Sequence, residues 1–163
     1  MNNINKKICG LLCENARLSY KELGAMTGIS ESDAETAVKN LEREGVIRGY
    51  TAIINEELLN NNAVKAFIEV KVTPKAEFGF DDIAKTIMMY DEVETLTLMS
   101  GAFDLAVTIG GTNYKDVALF VARRLSTIDG VLSTATHFVL KPYKELGFLI
   151  QSGETDERGL VAP

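Results

Sequence analysis

Residues 19–45, SYKELGAMTGISESDAETAVKNLEREG, contain two helix starts of the same design. Ser19 precedes Glu22 by three positions, the S-x-x-E capping box, and Gly28 follows as a C-terminal stop. Ser30 repeats the device with Asp33, and Gly45 closes the second segment. Between the two lies a short turn containing Gly28. Upstream, INKKICGLLCENARL places Ile4, Ile8, Leu11 and Leu12 on one helical face, with Asn3 or Asn5 available as a cap. Three short helices with a Gly-containing turn before the third are the pattern of a helix-turn-helix.

The third helix of such a unit ordinarily enters the major groove of DNA, and here its charge is an obstacle. Residues 30–45 carry five acids, Glu31, Asp33, Glu35, Glu42 and Glu44, against Lys39 and Arg43. At about 100° per residue, Ala34, Ala37, Val38 and Leu41 form the stripe that must face a core. The opposite stripe is Ser32, Thr36, Lys39 and Arg43, with Asn40 beside it, and none of these is acidic. The acids fall on the flanks. Ser32 and Thr36 are therefore candidates for reading base edges. Lys39, Asn40 and Arg43 are candidates for phosphate, joined by Lys21 on the second helix and Arg48 beyond the third.

Downstream, VIRGYTAII is rich in β-branched residues and reads as a strand or short hairpin, a wing. Periodicity is lost over residues 55–63, NEELLNNNA, which marks a linker. From residue 64 the pattern becomes strand and helix alternation. AVKAFIEVKV alternates with period two, and FGFDDIAKTIMMY carries Phe80, Ile83, Ala84 and Ile87 at helical spacing. VETLTLM and FDLAVTIG are strands joined through Ser100, Gly101 and Ala102. NYKDVALFVARRLSTI repeats the helical spacing with Val117, Val121, Leu125 and Ile128, and GVLSTATHFVLK closes as a strand. The order βαββαβ is the ferredoxin-like split unit. The expected class is α+β: residues 1–54 a winged helix-turn-helix, 55–63 a linker, 64–150 a βαββαβ domain with both helices on one sheet face, and 151–163 an acidic tail, disordered or adding an edge strand through GLVA.

The other sheet face draws on Phe67, Met99 and either Phe138 or Val139 among Ser and Thr, too apolar for full solvation. A second copy covers such a face economically, because a two-fold interface buries the same patch twice. A homodimer through this domain is the expectation.

Composition narrows the class of function. The 163 residues are 46% hydrophobic and 25% charged, ordinary for a globular protein. The net charge of −6 divides evenly: residues 1–62 hold seven basic and nine acidic side chains, 63–150 nine and eleven, 151–163 one and three. No segment is strongly basic, so any nucleic-acid affinity must come from local geometry. No apolar run approaches a membrane span and the start MNNINKK lacks a signal-peptide core, so the expected location is cytoplasmic, with no membrane partner. Cys9 and Cys13 have no nearby His partner, which gives no metal set, and they read as helix residues. His137 is the single histidine and reads as a packed strand residue. No catalytic constellation or phosphate loop is present, and no cofactor is expected.

The order of helix-turn-helix, GVIRGYTAIIN and a βαββαβ unit with SGAFD between its central strands resembles the Lrp/AsnC family of bacterial and archaeal regulators. The resemblance runs from about Ile4 to Leu149. Its specific pieces include Asn15-Ala16-Arg17, Gly28-Ile29-Ser30, Leu41-Glu42, the stretch Ile47 to Ala52, Ser100-Gly101 with Phe103-Asp104, and Gly130-Val131 with Thr134 and Thr136. It implies a regulator of double-stranded DNA that dimerises through its second domain, assembles into tetramers or octamers, and senses a small molecule, usually an amino acid. The effector position it implies is the turn Met99, Ser100, Gly101, Ala102, Phe103 and Asp104, with Thr134, Thr136 and His137 from the last strand. Gly101 lets backbone N–H groups approach a carboxylate, and Asp104 can pair with an ammonium. Alanine and asparagine at positions 37 and 40 stand where relatives often carry arginines, which implies weak binding per half-site. Two alternatives share the architecture: an enzyme similar to sirohaem decarboxylases, and a metabolite-binding regulator that no longer contacts DNA.

Overall fold

The computed structural model describes residues 2–59, 63–73 and 79–150. Compactness divides the chain into two units, Met1–Ile53 and Ile54–Pro163. The acidic tail lies outside the described residues.

The first unit is three helices: α1 (Asn3–Glu14), α2 (Tyr20–Thr27) and α3 (Glu31–Arg43). Each start is capped as its polar residues dictate. Asn2 caps α1, its side chain accepting from the Asn5 N–H at 2.7 Å. The cap is thus one residue before Asn3, the nearer of the two expected, because a cap precedes the first helical residue. At α2 the capping box is complete in both directions, with the Ser19 N–H donating to Glu22 at 2.8 Å. Ser30 accepts from the Asp33 N–H at 3.1 Å to start α3. Ile8, Leu12, Leu23, Ala34, Val38 and Leu41 form the buried core of this unit, while Ile4 stays 38% exposed at the end of its stripe.

Two glycines set the turn between α2 and α3. Gly28 adopts φ 78°, the left-handed conformation that ends a helix. Gly24 lies where the chain returns: a Cβ there would sit 2.8 Å from the Ile29 carbonyl oxygen and 3.3 Å from the Glu31 nitrogen. A side chain at Gly24 would push α3 away from α2.

Residues 46–54 differ from the expected wing strand. They form no ladder among the described residues; the Val46 and Ile47 N–H groups close the end of α3 on the Leu41 carbonyl at 2.9 and 3.1 Å, and the chain continues as unpaired irregular backbone. β-branched residues favour extended backbone, but a strand exists only where a partner accepts its hydrogen bonds, and this unit supplies none.

In the second unit a 3-10 turn (Glu56–Leu59) precedes β1 (Val64–Val72), α4 (Asp81–Ile87), β2 (Val93–Leu98), β3 (Leu105–Gly111), α5 (Tyr114–Phe120) and β4 (Val131–Phe138). The sheet order is β2-β3-β1-β4, every pair antiparallel. A two-residue pair, β5 (Lys144–Glu145) and β6 (Phe148–Leu149), follows. α5 runs into a π turn over Val121–Leu125. Its apolar residues Val117, Val121 and Leu125 are spaced by four, and the wider π turn keeps them on one buried face.

Alternation along the strands decides which residues face the helices. Ala66, Ile68, Val70 and Val72 of β1, with Leu105, Val107 and Ile109 of β3, pack against Ile83, Ile87, Val117, Phe120, Val121 and Leu125. Phe138 belongs to this side, its ring edge-on to Tyr114 at 4.9 Å, so of the two alternatives Val139 is left for the open side. That side carries Lys65, Phe67, Glu69 and Lys71 of β1, Ala106, Thr108 and Gly110 of β3, Ser133, Ala135 and His137 of β4, and Thr95 and Thr97 of β2.

Candidate functional site

The solvent side of α3 is the first candidate surface. Ala34, Val38 and Leu41 are buried, and this turns Ser32, Thr36, Lys39 and Arg43 outward, all exposed, with Asn40 half-buried beside them. The two cations differ in state. Lys39 Nζ stands 2.7 Å from Glu35 Oε1, one turn earlier, and the carboxylate holds its ammonium above the ordinary 10.5. Arg43 makes no ion pair among the described residues. On the flank, the Tyr50 hydroxyl donates to Glu42 at 2.9 Å, and burial, then the Glu42 carboxylate, push the phenol up to about 12. Glu42 is thereby engaged beside the ridge. Arg48 folds its guanidinium over Gly45, where a Cβ would meet Cζ at 3.0 Å, and so sits at the C-terminal end of α3 where its charge suits the helix dipole. Lys21 is exposed on α2.

The turn between β2 and β3 is the second. The Met99 N–H donates to the Asp104 carbonyl at 2.8 Å, and the Asp104 N–H to the Val70 carbonyl at 3.0 Å. Asp104 also accepts the Val72 N–H on Oδ2 at 2.9 Å, beside the register shift at Lys71/Val72. One carboxylate oxygen therefore has a structural bond, and the carboxylate keeps further acceptor capacity, chiefly at Oδ1, for an ammonium. Ser100, Gly101 and Ala102 are exposed between these anchors, and Met99 is exposed as well. Phe103 packs edge-on to Phe67 at 6.0 Å, and Phe67 lies against His137 at 6.1 Å, its direct partner across the β1–β4 ladder. His137 Nε2 is 3.3 Å from Glu69 Oε1.

This geometry splits the expected effector set. The turn and His137 share the open side of the sheet through Phe67. Thr134 and Thr136 do not: they pair with Val70 and Ile68 and point to the helix side, where Thr134 Oγ1 is 3.2 Å from Ser126 Oγ. Successive strand residues face opposite ways, so a ligand on the open side of this chain cannot touch these two threonines together with His137. Phe67, which joins the turn to His137, was not among the expected site residues; its place in the alternation of β1 assigned it to the open face, but not its contact with Phe103.

Comparison with known proteins places both units. Residues 1–48 match the winged helix-turn-helix DNA-binding family, and residues 65–147 the Lrp/AsnC ligand-binding domain. The HTH-type transcriptional regulator YugG of Bacillus subtilis is 43% identical over 158 residues, which cover 96% of this chain and 95% of the relative. The chain belongs to the Lrp/AsnC family. It is a DNA-binding transcriptional regulator with a ligand-binding second domain. Among Lrp/AsnC relatives, the leucine-responsive regulatory protein of Haemophilus influenzae is 28% identical over 147 residues, covering 90% of this chain and 88% of its own length. The crystal structure of the transcriptional regulator NMB0573 of Neisseria meningitidis, solved in complex with L-Met, superposes with a TM-score of 0.69 at 30% identity, covering 89% of this chain and 93% of that one. Among the described residues no helix is long and apolar enough to cross a membrane.

Proposed function

We propose that this Lrp/AsnC regulator binds DNA through the exposed ridge of α3 and responds to an amino acid held at the Met99–Asp104 turn. The observation that carries the effector reading is the turn itself: Ser100, Gly101 and Ala102 are exposed between two anchored ends, and the Asp104 carboxylate retains acceptor capacity. A carboxylate on the amides of the turn and an ammonium at Asp104 Oδ1 are the two poles of an α-amino acid. The L-Met bound to the similar NMB0573 supports that class of ligand. Phe67 and Phe103 add an apolar wall for a side chain.

In this reading the chain acts in the cytoplasm as a homodimer or larger assembly, domains dividing at the residues 55–63 linker. Ser32 and Thr36 meet base edges; Lys39, Asn40, Arg43, Lys21 and Arg48 lie toward phosphate. The decarboxylase-like reading finds less support. A polycarboxylate substrate needs uncommitted cations, and Arg124 of the second unit is already held by Glu92 at 2.8 Å and stacked over Tyr90.

Thermal denaturation of the full chain in the presence of each common amino acid tests the effector. A ligand that binds only the folded state raises Tm by mass action, by about 2.7 kcal/mol of stability at a hundred times Kd. The expected result is a shift with one or a few amino acids that Asp104→Asn loses. No shift with any of them overturns the amino-acid reading.

A further inference from the structure

The ridge of α3 has two cations, and the chain itself occupies one of them. Lys39 Nζ lies 2.7 Å from Glu35 Oε1, closer than any other ion pair among the described residues. Arg43, one turn further along the same face, has no such partner among the described residues. Glu35 is set for this role by position. Ala34 and Val38 fix the buried stripe, so residue 35 falls at its edge and its side chain, 42% exposed, reaches along the helix to residue 39. Two other acids of the helix are differently engaged: Asp33 at the Ser30 cap, Glu42 with Tyr50.

We propose that Glu35 is an affinity-limiting residue of the DNA-binding surface, competing with phosphate for Lys39. The inference rests on the α3 ridge being the contact surface. While a carboxylate holds it, the lysine brings less net charge to the phosphate backbone, and its contact with phosphate must first displace that carboxylate. The ridge then binds with Arg43 as its one uncommitted cation, and the hydroxyls of Ser32 and Thr36 contribute a larger share of the interaction. Such a surface sacrifices general affinity for DNA and keeps the part that depends on base sequence.

The test compares wild type with Glu35→Gln by fluorescence anisotropy on two probes, a duplex selected from a random pool by the wild-type chain and sheared DNA of mixed sequence, over a range of salt. An exposed i,i+4 pair is worth roughly a factor of two, so E35Q is expected to tighten both probes by about two-fold or more per bound chain. Freed Lys39 is expected to raise the magnitude of the slope of log K against log salt, by at most about 0.9 for each chain engaged. Because the added phosphate contact carries no sequence information, the ratio of affinities between the two probes is expected to stay unchanged. Lys39→Gln placed on E35Q should erase both gains, and circular dichroism of each variant checks that α3 remains folded, with Glu35→Ala as a second replacement.

Unchanged affinity and slope overturn the proposal, as does a gain that survives Lys39→Gln. Weaker binding of the selected duplex alone also overturns it and makes Glu35 a base reader, accepting from a cytosine amino group. Failure of the underlying ridge is separable, because then neither Lys39 nor Arg43 replacements alter binding to either probe.

Discussion

Arg43 stands at the C-terminal end of the exposed ridge of α3 with no ion pair among the described residues. As the uncommitted cation there, it is expected to dominate the electrostatic part of binding. Arg43→Glu should lower DNA affinity roughly ten-fold or more at moderate salt and reduce the salt slope by about one per chain. Electrophoretic mobility shift of mixed-sequence DNA measures this, and full-strength binding by the variant would refute the contact ridge. Asp104 shows the opposite relation between sequence and structure. Its type and turn suggest an ammonium partner, yet one oxygen already satisfies the Val72 N–H at 2.9 Å. Gly24 was invisible as a constraint, since only the return of the chain to within 2.8 Å of its would-be Cβ reveals why no side chain is admitted.

The elements were legible where local chemistry dictates them. Ser19, Ser30 and the glycines at 28 and 45 fix α2 and α3 because capping is settled within four residues of sequence. The Glu22 carboxyl is held below its ordinary 4.5 by the Ser19 side chain first and then by the Ser19 backbone. A carboxylate with a lowered folded value stabilises the helix above its unfolded value, and that contribution disappears as pH falls through the folded one. Ser19→Ala is expected to lower Tm at neutral pH and to lower it progressively less as pH falls below the ordinary 4.5 of Glu22, read from Tm against pH. A cost that stays constant across that range would contradict the capping-box account. The wing was legible only as a preference for extended chain, because a ladder depends on a partner that residues 46–54 do not find in their own unit.

At the scale of the molecule, the open sheet face is the feature that asks for a partner. Ala106, Gly110, Ala135 and the threonines make a low surface on which another sheet can lie close, and Phe67 stands in it beside His137 and Phe103. Lys65 is framed by Glu94 at 3.3 Å and Glu145 at 3.6 Å; burial disfavours its charge, but the two carboxylates outweigh this and hold the ammonium above its ordinary 10.5. Covered by a second copy, this face buries the same residues on both chains. In a dimer so formed, Phe67→Glu would place two like charges at the interface, and the expected outcome is a shift to monomer in sedimentation equilibrium while far-UV circular dichroism is retained. Persistence of the wild-type assembly would move the interface elsewhere.

The sequence by itself determined the three-helix unit, the βαββαβ order and the buried stripes, since caps, period-two runs and four-residue spacings are local and each names its own face. It also sorted the acids of α3 to the flanks of the exposed ridge. Tertiary structure decided what those signals leave open. The ladder register sends Thr134 and Thr136 to the helix side and His137 to the open side; the Met99–Asp104 turn is joined to β1 through Asp104 and Phe67, and in α3 Lys39 is engaged with Glu35. These are pairings between side chains, and spacing along a chain shows which groups share a face, not which one of several neighbours a charge or a ring will choose.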